Sequence, residues 1–419
     1  MKIAILTMGT RGDTQPFISL AVYLQSLGHD VVLGARPDFV ALAKEYGVPF
    51  APLGHSYASF IKDNTKNFEK GDFFKIALQG LRQYKIMFEN MGEDAFRAAL
   101  GSDAIIYKHS WLAGYSIAEK LGVPCASAML FPITKTKEFP CFMLGEGKDR
   151  GRLGNALYWR LCEQIVTWQF QRPADNKLRR KTLGLKSAPF FGYGKRQERE
   201  KMPVFYSYSS YVLPKPSDWP ENIHVTGIWK NPLPADWSPP PALTRFLENG
   251  EPPVYIGFGS MPSSADKTLT LILKALEISK RRAVLLSGWA GVGSGITLPD
   301  TVFCVDGVPH SWLFPKCAAV VHHGGAGTTM AGLLGGAPSI ITPSTIDQHS
   351  WARQIHKLGT GPAPIPFKNL SAENLSTAIA GTTTDKTMQK RAAEVRAVLE
   401  REDGIKAAAD LFFEYVGRA

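Results

Sequence analysis

The sequence predicts an α/β protein with two domains, each built around a parallel β-sheet. Two series of short apolar runs alternate with segments of helical spacing, and these series begin at Lys2 and Val254. Alternating strands and helices favour parallel sheets with right-handed crossovers. A proline-rich stretch, 213–241, separates the two series and is typical of a semi-rigid connector between domains. A chain of 419 residues is long enough to bury two cores.

The first series starts with a predicted strand over residues 2–8 and a turn at Thr10–Pro16. Phe17–Leu27 has helical apolar spacing, and Gly28 is typical of the residue that ends a helix. Ligands bind beyond the carboxyl ends of parallel strands, so the turn after the first strand lies where a site is expected. The later predicted elements of this half are the strands Val31–Leu33, Val48–Pro52, Ala104–Tyr107, Cys125–Ala128, Val204–Ser207 and His224–Thr226, and the helices Asp38–Tyr46 and Asn155–Leu183.

The second series opens with a predicted strand, Val254–Phe258, which runs into small residues and then a helix. The second series alternates strand-like and helical segments as the first one does, so a second parallel sheet is expected. The remaining predicted elements are the strands Ala283–Leu286, Val302–Cys304, Ala318–Val321 and Ala337–Thr342, and the helices Ala372–Ala380, Thr387–Leu399 and Ile405–Val416.

Positive charge is the clearest bias of the composition, with a net charge of +11. This bias predicts an anionic partner such as a nucleotide, a nucleic acid or an acidic membrane surface. Nucleic acid is disfavoured because no nucleic-acid-binding motif accompanies the charge. Many of the basic residues lie in the stretch 177–201. This stretch is either a solvated helix end and loop or a contact with anionic lipid, where each basic residue adds about 1 kcal/mol.

Several other classes of protein are disfavoured by the sequence. No apolar run approaches the length that crosses a bilayer, and the apolar run at the N-terminus is too short for a secretory signal. The five cysteines are scattered and have no CxxC spacing, which indicates a reducing compartment and argues against zinc. We therefore expect a cytoplasmic protein without a metal, and peripheral association with a membrane stays open.

The most informative stretch is a small-residue loop, Gly324–Thr329, which follows an apolar run and leads into a helical pattern. Glycines let a backbone approach a ligand closely, and a helix N-terminus binds anions. His323 could add a side-chain donor to such a site. Asp347 and Gln348 follow the next strand-like run, and a carboxylate with an amide suits the hydroxyls of a sugar. The loop could equally be a tight strand-to-helix turn.

Four stretches together resemble a known family. They are GTRGDTQPFISLA at 9–21, KPSDWPENIHVTGIW at 215–229, PPVYIGFGSM at 252–261, and the long segment 308–352 that contains HHGGAGTTMAG and DQHSWA. The sequence resembles nucleotide-sugar-dependent glycosyltransferases of the GT-B fold, a group that includes sterol glucosyltransferases and bacterial antibiotic glycosyltransferases. The stretches at 215–229 and 252–261 look most like the sterol branch.

The resemblance implies two Rossmann-like domains that face each other across a cleft. The expected divisions are an acceptor-binding domain at 1–212, a linker at 213–241, a nucleotide-sugar-binding domain at 242–400, and a last helix at 401–419 that crosses back to the first domain. The resemblance also implies an inverting transfer without a metal or a covalent intermediate. The sequence contains no Asp-x-Asp motif, in agreement with this expectation. A UDP-sugar would be a co-substrate, and no cofactor is expected.

The resemblance also assigns roles to individual residues. Asp13 matches the general base of the family. The positions that match contacts to the sugar nucleotide are Ser260, Val308, His310, His323, Gly325, Ala326, Gly327, Thr328, Asp347 and Gln348. One position departs from the pattern: plant relatives carry a Trp under the base where this sequence has Gly307. The choice between uridine and thymidine is therefore less secure than diphosphate binding.

Three further interpretations follow from the residues themselves. His109 and Trp111 follow a predicted strand end and could border an acceptor pocket. Phe73–Phe88 is an aromatic amphipathic segment that is either core or acceptor wall. Asp13 could be only the N-cap of the helix after Pro16.

The chemistry explains why these residue types are expected. A carboxylate within about 3 Å of the acceptor hydroxyl can take its proton, typically a 10²–10⁴-fold effect. Amides and an imidazole that are fixed before the reaction can stabilise the charge on the leaving diphosphate without a metal.

The leading hypothesis is transfer of glucose from UDP-glucose to a hydroxyl of a lipophilic acceptor such as a sterol. An alternative keeps the fold and takes a polyketide, flavonoid or peptide acceptor with a UDP- or TDP-sugar. A third hypothesis is a nucleotide-sugar-binding protein without turnover. A dinucleotide oxidoreductase is disfavoured because the first strand is not followed by GxGxxG.

Overall fold

The computed structural model describes residues 1–56, 90–111, 113–143, 148–258, 265–287, 298–345 and 347–418. Within these residues two parallel sheets form, one in each half of the chain. The first sheet has the order β3-β2-β1-β4-β5-β6-β7 and the second has the order β10-β9-β8-β11-β12. The strands are β1 Lys2–Leu6, β2 Asp30–Ala35, β3 Phe50–Pro52, β4 Ala104–Lys108, β5 Cys125–Met129, β6 Val204–Tyr206, β7 Ile223–Val225, β8 Val254–Gly257, β9 Ala283–Leu286, β10 Val302–Val305, β11 Ala319–His322 and β12 Ser339–Ile341.

Helices connect the strands of both sheets. This arrangement confirms the predicted α/β class with two Rossmann-like halves. The helices are α1 Arg11–Ser26, α2 Val40–Glu45, α3 at 90–99, α4 Ala113–Leu121, α5 Gly151–Leu161, α6 Phe170–Lys181, α7 Gly194–Arg199, α8 Pro241–Glu248, α9 Ala265–Ser279, α10 His310–Leu313, α11 Ala326–Gly335, α12 Gln348–Leu358, α13 Ala372–Thr384, α14 Lys386–Leu399 and α15 Gly404–Val416.

The first helix begins earlier than the sequence suggested. A turn was expected at Thr10–Pro16, but α1 starts at Arg11 and contains Pro16 within its second turn. Proline there removes one helical hydrogen bond, which the rest of a 16-residue helix tolerates. Thr10 is the N-cap, and Asp13 lies three residues later in the first turn. The prediction of a turn over these residues was therefore wrong, and Asp13 sits on a regular helix directly after β1.

The seventh strand of the first sheet lies within the stretch expected to be the linker. Ile223–Val225 pairs in parallel with β6, so the first sheet continues past residue 212. Near the other end of the chain, α15 packs back on α1. Ile405 and Phe412 are buried in the same cluster as Phe17. The last helix therefore packs on the N-terminal half.

The described residues contain neither a membrane-spanning helix nor a cluster of metal ligands. None of the helices there is long and apolar enough to cross a membrane. No group of three or more His, Cys, Asp or Glu side chains in that part of the chain could hold a metal ion. The five cysteines all lie in this part of the chain and form no disulfide, and four of them are buried.

Candidate active site

The two halves of the molecule meet where β1 and β11 end. Helix α1 follows β1 and helix α11 follows β11, and the two helices contact each other at this point. A Cβ added at Gly327 would lie 3.7 Å from the Cα of Gly12. Glycines on both sides let the two backbones come this close. The first turns of two helices from opposite halves therefore lie together, and this junction between the halves is called the gap below.

Asp13 faces this gap with most of its hydrogen-bonding capacity in use. Its Oδ2 accepts from the backbone N–H of Thr10 at 2.8 Å and from the Thr10 hydroxyl at 3.0 Å. Its Oδ1 accepts from the Nζ of Lys108 at 2.6 Å. A carboxylate has about four acceptor positions, so one position stays available for an acceptor hydroxyl. Capping and proton transfer are thus compatible roles for the same side chain.

Lys108 was not anticipated from the sequence as a site residue. It is the last residue of β4, it is only 6% exposed, and its Nζ also donates to the carbonyl of Met8 at 2.9 Å. A buried ammonium needs a partner because an uncompensated charge is costly in the interior. Asp13 supplies that partner from the first turn of α1, which directly follows the neighbouring strand β1. A lysine inside the otherwise apolar run of β4 was the signal that could have revealed it.

The small-residue loop of the C-terminal half has the geometry of an anion site. Gly324 has a φ of +92°, and a Cβ there would lie 2.6 Å from the side chain of Ile341. Gly325 is the N-cap of α11, which begins at Ala326. His322 is fully buried, and its Nδ1 accepts from the backbone N–H of Gly324 at 3.0 Å. The loop therefore directs the first amides of α11, from Ala326 to Thr328, toward the gap.

His323 extends this donor set with a partly buried imidazole ring. Burial lowers its pKa to about 4. Its Nδ1 is buried without a hydrogen-bond partner among the described residues. A Cβ at Gly325 would lie 2.5 Å from its Nε2, so the ring lies against the loop. An unpaired imidazole beside helix N–H groups can donate to a phosphate oxygen.

Asp347 is the second carboxylate of the gap, and its surroundings raise its pKa to about 7. Loss of solvent is the largest cause, and the charge of Asp13 adds to it. A backbone hydrogen bond from Ala326 and the charge of Lys108 act in the opposite direction. Gln348 begins the next helix, and its Oε1 accepts from the backbone N–H groups of Ser344 at 2.9 Å and Thr345 at 3.2 Å.

The small-residue loop Gly324–Thr329 is called the anion loop below. The wall beside it contains the residues expected near the nucleobase. Val308 is buried, and the ring of His310 stacks on Phe314 at 4.2 Å. Burial lowers the pKa of His310 to about 4, and the charge of Arg11 contributes. Arg11 comes from the opposite half: its Nη1 lies 3.6 Å from the position of a Cβ at Gly307. Sequence reasoning missed Arg11, although it lies in the same motif as Asp13.

Of the remaining predicted site residues, His109 and Trp111 follow Lys108 at the end of β4, and the others are outside the described residues. Nδ1 of His109 is hydrogen-bonded to the hydroxyl of Ser127 at 2.7 Å, and burial lowers the His109 pKa to about 4. Trp111 is 1% exposed and packs in the hydrophobic core, so it offers no surface to an acceptor. Ser260 and Phe73–Phe88 fall outside the described residues.

Solved structures of glycosyltransferases share this architecture. The structure of the kitacinnamycin glycotransferase superposes with a TM-score of 0.69 at 19% identity and covers 99% of this chain and 98% of that one. The glycosyltransferase VinC in complex with DTDP gives a TM-score of 0.66 at 19% identity, with both chains fully covered. Two facing parallel-sheet halves with an anion loop in the second define the GT-B class of glycosyltransferases.

Family models match both halves. The glycosyltransferase family 28 N-terminal domain matches residues 3–140, and the C-terminal domain of the erythromycin biosynthesis protein CIII-like family matches residues 290–402. The sterol 3-beta-glucosyltransferase UGT80B1 of Arabidopsis thaliana is 37% identical over 99% of this chain and 68% of its own length. A sterol 3-beta-glucosyltransferase of Cryptococcus neoformans is 31% identical over 99% of this chain and 27% of its own length.

The chain belongs to the glycosyltransferase family that contains these relatives. It spans about two thirds of the plant proteins and about a quarter of the fungal ones. The expected fold and enzyme class are thereby confirmed.

Proposed function

We propose that this protein is an inverting glycosyltransferase that moves a hexose, glucose from UDP-glucose, to a hydroxyl of a lipophilic acceptor, a sterol. The observation that carries the proposal is the gap itself, where Asp13 and the anion loop of α11 face each other from opposite halves. Its relatives with sterol 3-beta-glucosyltransferase names align over 97–100% of the chain, which supports the choice of acceptor.

The residues divide the reaction between the two halves. Asp13 takes the proton of the acceptor hydroxyl as its oxygen attacks the anomeric carbon. The bond from that carbon to the diphosphate breaks on the opposite face, which inverts the configuration. The amides of Ala326 to Thr328 and the neutral ring of His323 then hold the departing diphosphate. Hydrogen bonds to a charged group contribute about 1.5–3 kcal/mol each, so several of them can stabilise the leaving group without a cation.

Asp347 and Gln348 are proposed to hold the hydroxyls of the sugar. A protonated Asp347 could donate a hydrogen bond as well as accept one, whereas a carboxylate only accepts. Val308 and His310 would line the base. No cofactor is required in this scheme, and nucleic acid has no part in it.

A second candidate differs in donor and acceptor. Gly307 lacks the aromatic ring that plant relatives place under uracil, and a solved neighbour with the same fold was crystallised with DTDP. The alternative is therefore transfer from a TDP-sugar, or from a UDP-sugar, to a natural product such as a polyketide, flavonoid or peptide.

Product analysis tests the proposal directly. The protein is incubated with UDP-glucose or TDP-glucose and with a sterol or a panel of polyketide and flavonoid aglycones, and products are identified by mass spectrometry. We expect a sterol hexoside with UDP-glucose, a β-linked product by NMR from the α-linked donor, and an unchanged rate in EDTA. An α-linked product would contradict inversion, and a rate abolished by EDTA would contradict metal independence. Donor binding without UDP release, whatever the acceptor, would indicate a binding protein.

We also propose that the enzyme works in the cytoplasm. Cysteines that form no disulfide are consistent with a reducing cytoplasm. A cytoplasmic enzyme with a sterol acceptor must reach a membrane, so we propose peripheral association with an anionic membrane as its route to the acceptor.

A further inference from the structure

One long helical region carries an apolar stripe on its solvent side. Helix α5, the π-helical segment Cys162–Gln169 and helix α6 follow each other without a break from residue 151 to residue 181. Four aliphatic side chains recur along it every four residues: Leu153, Leu157, Leu161 and Ile165, which are 88%, 63%, 44% and 58% exposed. Residues four apart lie on the same side of a helix. A soluble surface rarely repeats large apolar residues in this way.

Two aromatic side chains extend the stripe. Phe190 and Phe191 are 59% and 77% exposed. Their turn is fastened to the same helical region, because the carbonyl of Phe190 accepts from the Nε1 of Trp168 at 2.7 Å and the carbonyl of Phe191 accepts from the Nε2 of Gln164 at 3.3 Å. Gln164 directly precedes Ile165. The turn therefore holds two phenylalanines in solvent beside the end of the stripe.

The surroundings of this surface are strongly basic. Residues 148–201 contain fourteen lysines and arginines against five acidic residues, which gives +9 of the chain's net charge of +11. Arg152 and Arg160 are exposed, and each directly precedes a leucine of the stripe. The Arg172 guanidinium lies 5.1 Å from the ring centre of Phe190. Nearly all the excess positive charge is thus concentrated in the segment that exposes the apolar side chains.

We propose that this surface, defined by Leu153, Leu157, Leu161, Ile165, Phe190 and Phe191, docks on an anionic lipid bilayer. An apolar stripe bordered by basic residues is the pattern of a helix that lies in a membrane interface. The side chains would enter the acyl boundary while the arginines contact lipid phosphates, each adding about a fivefold gain in partition. A folded protein partner would require matching acidic side chains, and a second copy of this chain would bring a second basic surface into contact with the first.

The opposite side of the same helix explains what docking would achieve. Trp159 is fully buried, and its Nε1 donates to the carbonyl of Phe139 at 3.0 Å. Phe139 contacts Phe142, and the ring of Phe142 lies 5.1 Å from that of Trp351 in the C-terminal half. Docking would therefore bring the bilayer to one side of a helix whose other side joins an aromatic cluster shared by both halves. A lipophilic acceptor could reach the gap from the membrane along this side of the molecule.

The surface is tested by vesicle flotation of the full chain without donor or acceptor, so the result is independent of the proposed transferase activity. Vesicles of phosphatidylcholine alone are compared with vesicles that also contain phosphatidylserine. We expect binding to the anionic vesicles, weakened by salt. Replacing Leu157 and Ile165 together by Glu should reduce the partition at least about tenfold. Ile278→Glu is the matched control, because Ile278 is 49% exposed on helix α9 of the other half.

A charge variant separates the two parts of the surface. Arg152→Glu with Arg160→Glu should reduce partition onto anionic vesicles about tenfold or more and leave any binding to neutral vesicles unchanged. Equal binding of the Leu157 and Ile165 double variant and the wild type would overturn the proposal. So would a wild-type dimer that this variant dissociates, since a second copy would then cover the stripe. A drop in melting temperature larger than that of Ile278→Glu would also overturn it, because the stripe would then be an internal contact.

Discussion

The two carboxylates of the gap have the same chemistry but opposite surroundings. Asp13, from the N-terminal half, is held by Lys108 at 2.6 Å and by two donors of Thr10. Asp347, from the C-terminal half, is 9% exposed and forms no ion pair with the described residues. Loss of solvent raises the pKa of Asp347 to about 7. One half therefore presents a compensated carboxylate, and the other presents a carboxyl group that can hold its proton near neutral pH.

This difference separates the expected roles. A carboxylate whose charge is compensated by a lysine can accept a proton from an acceptor hydroxyl. A carboxyl group that is buried and close to neutral can hydrogen-bond a sugar without placing a second negative charge beside the diphosphate. Asp347 also accepts from the backbone N–H of Ala326, one of the amides proposed for the diphosphate. We therefore propose that the N-terminal half serves proton transfer and that the C-terminal half receives the anion.

The largest effect should come from removing the carboxylate of the N-terminal half. Asp13→Asn keeps an oxygen that can accept from Thr10, but it cannot take a proton, so turnover should fall by about 10²–10⁴-fold. Affinity for UDP, measured by calorimetry, should be nearly unchanged because the anion loop is intact in this variant. Steady-state kinetics with UDP-glucose and sterol provide the rate. An unchanged turnover would show that Asp13 is not the base. A loss of UDP affinity as large as the loss of turnover would show that Asp13 also binds the donor, and the proposed separation of roles between the halves would be wrong.

The corresponding substitution in the C-terminal half, Asp347→Asn, should change the free energy of unfolding and its dependence on pH. The folded protein keeps the proton of Asp347 up to about pH 7, whereas the unfolded chain releases it near the ordinary aspartate pKa of 3.8. The free energy of unfolding should therefore fall as the pH rises from about 4 to about 7. Asp347→Asn cannot ionise and should lack this decrease, so it should be the more stable protein at pH 8 by up to about 4 kcal/mol, at about 1.4 kcal/mol per pKa unit.

Urea unfolding at several pH values measures the difference in unfolding free energy between the wild type and Asp347→Asn. Asp236→Asn is the control, since Asp236 is an exposed residue of the connector and its replacement should leave the pH profile of the wild type in place. Parallel profiles for the wild type and Asp347→Asn would mean that Asp347 is ionised in the folded protein. The two carboxylates would then be alike, and the division of roles would fail.

A smaller effect is expected from the imidazole of the anion loop. His323→Ala should weaken UDP binding about 10- to 100-fold, in line with about 1.5–3 kcal/mol for a hydrogen bond to a charged group. Burial holds the pKa of His323 at about 4 in the free protein, and an adjacent diphosphate would raise it. Wild-type affinity for UDP should therefore increase as the pH falls from 7 to 5, beyond the change in UDP's own charge.

Calorimetry at both pH values checks this prediction. His356→Ala serves as the control because His356 is exposed on helix α12 of the same half, and it should bind UDP as the wild type does. If His323→Ala shows the same increase in affinity at low pH as the wild type, the imidazole does not meet the diphosphate.

The parts of the site that were predictable from sequence are those encoded locally. The glycine loop, the helix after it, and Asp347 with Gln348 lie within about 25 residues of one another, so their spacing alone indicates an anion site. Lys108 was missed because its partner Asp13 lies 95 residues away, and only the strand order β1-β4 brings the two together.

Two other features could not be predicted because they depend on tertiary contacts. Pro16 suggested a turn, but α1 includes it because the helix packs against β2 and α15 and these contacts outweigh the loss of one hydrogen bond. The stripe of Leu153, Leu157, Leu161 and Ile165 has ordinary amphipathic spacing, and such spacing normally indicates a buried face. Only the structure reveals that Trp159 and Cys162 face the core while the stripe faces solvent.

The smallest predicted effect concerns Arg11, which reaches from the N-terminal half to the wall proposed to bind the base. Arg11 is exposed, and its Nη1 lies 3.6 Å from the Cβ position of Gly307, so its contribution to UDP affinity should be about fivefold, as for an exposed charge contact. Arg11→Ala should raise the KM for UDP-glucose by that factor without changing kcat, while Arg245→Ala in helix α8 should change neither. A Trp at position 307 would need the same space, so Gly307→Trp should weaken UDP binding, and adding Arg11→Ala should restore it. Additive losses in the double variant would mean that Arg11 and residue 307 act independently, and the two halves would then not share the base-binding wall.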